Sequence, residues 1–185
     1  KESELIFEDD KVSVKTIPLN HRVYTNGYLF TEKEKARKLH MDNISNYEEI
    51  SKADYLNIKA GKNITLSTGE VIPNEELTLP PKKALSYAFC SDTKYKPNIV
   101  PIIKNTDLLY HEATFLADRE DLAIKTKHAT SKQAAQIAKD ANVKQLIIGH
   151  YSGRYKDITL FQKEAKEIFK NTYLAEPGKN FKIDE

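Results

Sequence analysis

A switch in apolar patterning near residue 80 limits the folds open to this chain of 185 residues. Before it, the apolar residues fall in short β-prone runs. Residues 4–8 and 11–17 flank Glu8-Asp9-Asp10 as a hairpin with Val12, Val14 and Thr16 on one face, and a third strand covers Tyr28 to Phe30. Ile64 to Ile72 reads as a second hairpin turning at Gly69. After Pro80-Pro81 the pattern alternates: strands at 84–90, 107–110 and 143–148, and a short helix after Pro97. Thr130 or Ser131 caps a helix whose Ala134, Ile137, Ala138 and Ala141 keep helical spacing, and Phe161, Ala165, Ile168 and Phe169 mark another. Thr172 to Ala175 and Asn180 to Ile183 read as a last strand pair. Hairpins followed by strand-helix alternation predict an α/β fold with helices packed on a mixed sheet.

Composition narrows the function. A chain of this length buries roughly 70% of its unfolded surface, so a bound metal would serve chemistry rather than stability. The lone Cys90 forms no internal disulfide and makes no Cys-rich zinc site. With 29 Lys plus Arg against 27 Asp plus Glu, the net charge of +2 excludes a dense nucleic-acid coat, so any nucleic-acid contact must come from local patches. The apolar runs are too short to span a bilayer, and no signal peptide is visible in KESELIFEDD. Membrane association is therefore not expected, and a cytoplasmic location is. The chain starts in a strand-like run without Met, which suggests a piece of a longer polypeptide. Between Glu32 and Lys62 seven Lys or Arg and six Asp or Glu replace large apolar residues, which reads as a charged, solvated excursion.

Four of the five histidines, His21, His111, His128 and His150, fall at or just beyond predicted strand ends, where sites of α/β proteins form. Asp92 emerges in the same way after the strand ending at Cys90. Imidazoles and a carboxylate converging there suit a Zn- or Mn-like cation, with Asp able to bridge two ions. Any one of these histidines alone reads more readily as an unrelated polar loop residue, but four at aligned strand ends point to a site. No His-x-His, His-x-x-x-Asp-His or His-Glu-x-x-His run occurs, so a two-metal ligand set is incomplete in this chain.

Asp107-Leu-Leu-Tyr-His111-Glu112-Ala113-Thr114, His128-Ala129-Thr130, and Ile148-Gly149-His150-Tyr151-Ser152-Gly153-Arg154 resemble the HEAT loop, the HST loop and the last metal-histidine segment of ribonuclease Z. That family is the tRNA 3′-processing endonuclease of the metallo-β-lactamase superfamily. Pro18-Leu19-Asn20-His21 with Gly27-Tyr28, and Ser91-Asp92-Thr93, are similar to its two preceding motifs, at separations of 71 and 58 positions between residues 21, 92 and 150. The resemblance implies that residues 1–185 are the C-terminal half of an αββα sandwich, with 32–62 where the family carries a tRNA-binding arm. It implies metal ligation by His21, Asp92 and His150 to two divalent ions, Zn first and Mn or Mg next. His128 would be the general acid, Glu112 would orient it, and His111 would support them from behind. Ser152, Arg154 and Thr130 would contact substrate, although Ala129 stands where the motif has Ser. Lys33, Lys35, Arg37, Lys38, Lys52, Lys59 and Lys62 would meet phosphates, with Tyr47 or Tyr55 stacking and Lys82-Lys83 a further contact.

The implied partners are precursor tRNA, the N-terminal half of the same domain and a second copy in a homodimer. The implied activity is removal of 3′ trailers, with this chain inactive by itself. Alternatives are another metallo-β-lactamase-fold hydrolase or phosphodiesterase, or a non-catalytic module binding RNA or a partner. A sandwich cut in half exposes the inner face of its sheet, so either the other half or self-association should cover it.

Overall fold

The computed structural model describes residues 2–183 and divides into two compact units, residues 34–84 and the remainder. The larger unit is built on one seven-stranded mixed sheet whose spatial order follows the chain. Its strands are β1 (Leu5–Glu8), β2 (Val12–Pro18), β3 (Asn26–Glu32), β4 (Ser86–Cys90), β5 (Leu108–Glu112), β6 (Gln145–Gly149) and β7 (Thr172–Leu174). From β1 to β4 neighbours are antiparallel, and from β4 to β7 they are parallel. Parallel pairing needs crossovers, which supply α1 (Glu120–Thr126) and α2 (Ser131–Asp140) before β6 and α3 (Thr159–Lys166) before β7. The expected second strand at 180–183 does not form; β7 pairs with β6 instead, because the parallel edge of β6 is open to it. α1 was not expected from the sequence. None of the described helices is long and apolar enough to cross a membrane.

Alternation along the strands sorts the side chains between two faces. On one face Ala88, Cys90, Leu109, Leu146, Ile148 and Leu174 meet the helices, which contribute Ala134, Ile137, Ala138, Phe161 and Ala165 to the same buried cluster. Alanines on α2 allow its backbone to lie close to the sheet. Thr130 starts that helix: its hydroxyl accepts from the Gln133 N–H, while Gln133 Oε1 accepts from the Thr130 N–H, a capping box. Burial pushes the pKa of the Cys90 thiol up to about 12, so it behaves as a small core hydrophobe.

The opposite face is aromatic. Strand register aligns Val14 with Phe30, Phe30 with Tyr87, Tyr28 with Phe89, Phe89 with Tyr110, Tyr110 with Ile147 and Ile147 with Tyr173. Phe89 and Tyr110 stack with centroids 4.8 Å apart, and Phe30 and Tyr87 at 6.0 Å. Tyr28, Phe30 and Tyr173 remain 37–38% exposed. Gly27 on β3 admits no side chain, since a Cβ there would run into the Phe89 carbonyl.

The smaller unit has its own core of Ile44, Ile50, Ile58, Ile72 and Leu77. Two short antiparallel pairs, Lys38–Leu39 with Thr78–Leu79 and Ile64–Thr65 with Val71–Ile72, frame three short helices. The buried Asn74 amide donates to the Ile58 and Lys62 carbonyls at 2.7 and 3.0 Å. Arg37 donates to the Thr78 hydroxyl, and the Tyr47 hydroxyl donates to Glu76, which raises the pKa of that phenol. Lys35, Lys38, Lys52, Lys59 and Lys62 are exposed, as are Lys82 and Lys83; Tyr55 packs against the unit's core. His40 caps the helix at Met41, its Nδ1 accepting from the Asn43 N–H.

Candidate active site

The strand ends of β4, β5 and β6 and the loop after β2 deliver the expected residues to one edge of the sheet. Asp92 and His150 follow β4 and β6 with φ of 60° and 64°, and Lys127 ends α1 with φ of 61°. Left-handed backbone at a residue with a Cβ costs stability, and such residues gather where position matters more than comfort. Here the turn swings Asp92 and His150 over the sheet edge, His150 Nε2 lying 3.0 Å from Asp92 Oδ1.

Glu112, at the end of β5, is fully buried and meets four donors. Its Oε1 accepts from the Thr93 N–H at 2.6 Å and from His128 Nδ1 at 2.9 Å; its Oε2 accepts from the Thr114 hydroxyl at 2.6 Å and the Ala129 N–H at 3.2 Å. A carboxylate offers about four lone-pair sites, and all are used. Glu112 therefore holds other groups in place. Its donor atom lies within 4.8 Å of those of Asp92, His128 and His150, yet it has no lone pair left for a cation.

Proton counting fixes the neighbouring tautomers. The single Thr114 proton goes to Glu112, so the Thr114 oxygen must accept from His150 Nδ1–H at 2.8 Å. His150 Nε2 is then the ring atom turned toward Asp92, 3.0 Å from its Oδ1. An imidazole oriented through its Nδ1–H and a carboxylate side by side are a donor pair that fits a metal ion. His21 repeats the logic: its Nδ1–H donates to the Lys127 carbonyl at 3.0 Å, leaving Nε2 as a lone-pair donor. His128 stands between the rings of His21 and His150, with centroids 4.9 and 5.2 Å away.

The other expected residues are spread around this cluster. His111 is fully buried, its Nδ1–H donates to the Glu112 carbonyl at 2.7 Å, and its Nε2 has no hydrogen bond among the described residues. The buried Thr130 hydroxyl is spent on the α2 cap rather than facing open space. The Ser152 N–H donates to the Thr114 carbonyl, and exposed Arg154 lies 6.0 Å from the Phe115 ring centroid. Thr93, Thr114 and Lys127 were given no role from the sequence. The contacts of Thr93 to Glu112 and of Lys127 to His21 Nδ1 run through main-chain groups, which no side-chain pattern reveals.

Burial lowers the His111 pKa below its ordinary 6.5. Below that pH the unfolded chain takes up a proton that the folded chain refuses. Stability contributed by neutral His111 is thus present above about pH 6.5 and lost as pH falls below it. Urea unfolding between about pH 5 and 7 should show this slope, and His111→Asn should flatten it.

No family model matches the chain. Among curated proteins it is 48% identical to ribonuclease Z of Porphyromonas gingivalis over 171 residues, covering 92% of this chain and 56% of that one. It is 45% identical to ribonuclease Z of Cytophaga hutchinsonii, covering 99% and 58%. The chain spans little more than half the length of these relatives. Human tRNase Z, short form, superposes with a TM-score of 0.57 at 22% identity, covering 99% of this chain and 48% of that structure. The metallo-β-lactamase fold protein YhfI of Bacillus subtilis gives 0.60 at 16%, covering 95% and 51%. The fold is thus part of a metallo-β-lactamase fold, and the chain is a homologue of ribonuclease Z across nearly all of its own length.

Proposed function

We propose that this chain is the C-terminal part of a metal-dependent endoribonuclease that removes 3′ trailers from tRNA precursors, and that it needs the remainder of its domain to act. The observation that carries the reading is His128, held by a fully buried carboxylate and flanked by two histidines whose Nδ1 atoms are each tied to a protein oxygen. His21, Asp92 and His150 would hold two divalent ions, zinc by preference for imidazole and carboxylate. When bound, such ions supply Lewis acidity and neutralise charge on the scissile phosphate.

The chain's own residues supply the proton. Hydrolysis breaks the bond between phosphorus and the O3′ of the last tRNA nucleotide, and that oxygen must leave protonated. His128 keeps Nδ1–H on Glu112 and gives a proton from Nε2 to O3′. Ser152 and Arg154 follow His150 and would hold the phosphate, Arg154 through paired N–H donors. The aromatic sheet face is read as the surface that the other half of the sandwich covers, since a row from Phe30 to Tyr173 would otherwise stay wet. Exposed Lys52, Lys59 and Lys62 of the smaller unit are the proposed contacts to tRNA away from the cleaved bond, and a homodimer is the proposed assembly.

Cleavage of a 3′-extended precursor at the end of the tRNA body, with a 3′-hydroxyl left on the tRNA, supports this reading. Hydrolysis of a small bis-aryl phosphodiester alone would point to another hydrolase of the fold. Salt-dependent tRNA binding without any hydrolysis would point to a binding module. Thr114→Val removes the acceptor of His150 Nδ1–H. It should weaken Zn binding about 10–100-fold in a competition titration, with the fold retained.

A further inference from the structure

A cavity of about 300 Å³ opens beside His128, lined also by Lys94, Tyr95, Glu120, Ile124 and Gln133. A second of about 290 Å³ adjoins it through Tyr95, Glu120 and Gln133. Tyr95 borders both: its ring packs against the main core yet stays partly exposed, and its hydroxyl makes no hydrogen bond among the described residues. Glu120 is placed with care. Gln133 Nε2 donates to Glu120 Oε1 at 2.8 Å, while Gln133 Oε1 is fixed by the Thr130 N–H at 3.0 Å. The second oxygen of Glu120 makes no hydrogen bond among the described residues.

We propose that this hollow is a nucleoside subsite in which Tyr95 stacks the base of the nucleotide whose O3′ leaves and Glu120 accepts a hydrogen bond from an exocyclic amino group of that base. The inference rests on the reading of His128 as the acid that protonates O3′. The ribose and base attached to that oxygen must then lie against the surroundings of His128, and this cavity is lined by His128 itself. The chemistry selects a base over a phosphate. A partly exposed aromatic ring is a stacking platform that tolerates any base, while a carboxylate repels phosphate and accepts from amino groups such as N4 of cytosine. Lys94, exposed at the rim, suits the phosphate that joins this nucleotide to the tRNA body.

The test measures kcat/KM of the complete polypeptide, with Zn or Mn, on precursor tRNAs that differ only in the nucleotide before the cleaved bond, and on bis(p-nitrophenyl) phosphate. Tyr95→Ala should lose about tenfold on precursors, chiefly in KM, and nothing on the small diester. Tyr95→Phe should keep the wild-type rate, since the ring alone stacks. Glu120→Ala should erase a preference for adenine, cytosine or guanine over uracil. Equal loss on both substrates for Tyr95→Ala marks a structural role and overturns the subsite, as does no loss on precursors. Wild-type protein that hydrolyses the small diester but no precursor overturns the tRNA reading together with the subsite.

Discussion

His128→Ala is expected to lower precursor cleavage by about 10²–10⁴-fold while leaving metal content and fold unchanged. The ring is partly exposed, and its polar contact is Nδ1 on Glu112, so removing it opens no large void in the core. What disappears is the proton for O3′. An alkoxide is a poor leaving group without one, whereas p-nitrophenolate departs readily unprotonated. The same variant should therefore hydrolyse bis(p-nitrophenyl) phosphate at close to the wild-type rate. Loss on both substrates alike would show that His128 serves metal binding or structure, and no loss on the precursor would remove it from the chemistry.

Glu112→Ala should cost about 3 kcal/mol or more of stability and abolish cleavage. Four donors converge on this buried carboxylate, and two of them, the Thr93 and Ala129 N–H groups, cannot turn elsewhere. Each buried donor left without an acceptor costs about 1–3 kcal/mol. Loss of the acceptor also frees His128 to rotate and frees the Thr114 proton, which then competes for His150 Nδ1. Glu112→Gln keeps the volume but turns an NH₂ toward two donors, so it should unfold at lower urea than wild type and higher than the alanine variant. Urea midpoints in EDTA, measured beside precursor cleavage with added Zn, separate the two effects. An alanine variant as stable as wild type would contradict the view of Glu112 as the organiser of the site.

Much of this arrangement could be read in the sequence because its cause is local. Asp92 and His150 lie one or two residues beyond apolar strands, so their place at the sheet edge follows from strand length alone. Thr130 with Gln133 is a short-range capping pattern that needs no tertiary context. Other features depend on distant partners. The saturation of Glu112 depends on N–H groups 17 and 19 residues away, and the hold on His21 comes from a carbonyl 106 residues on. The charged stretch 32–62 hid Ile44, Ile50 and Ile58, which form a core only with Ile72 and Leu77 from beyond it. The aromatic face was hidden for a related reason: Phe30, Tyr87, Phe89 and Tyr110 sit on three strands, and only register makes them one surface.

The most direct test mixes this chain with the N-terminal part of a ribonuclease Z relative that this chain does not span, adds Zn or Mn, and follows a 3′-extended precursor tRNA, with the His128→Ala chain as control. The expected result is no cleavage by either half alone, cleavage at the end of the tRNA body by the mixture, and its loss in the control. A stable, metal-loaded complex of the two halves that leaves the precursor intact would contradict the assignment of this chain to a tRNA-processing nuclease.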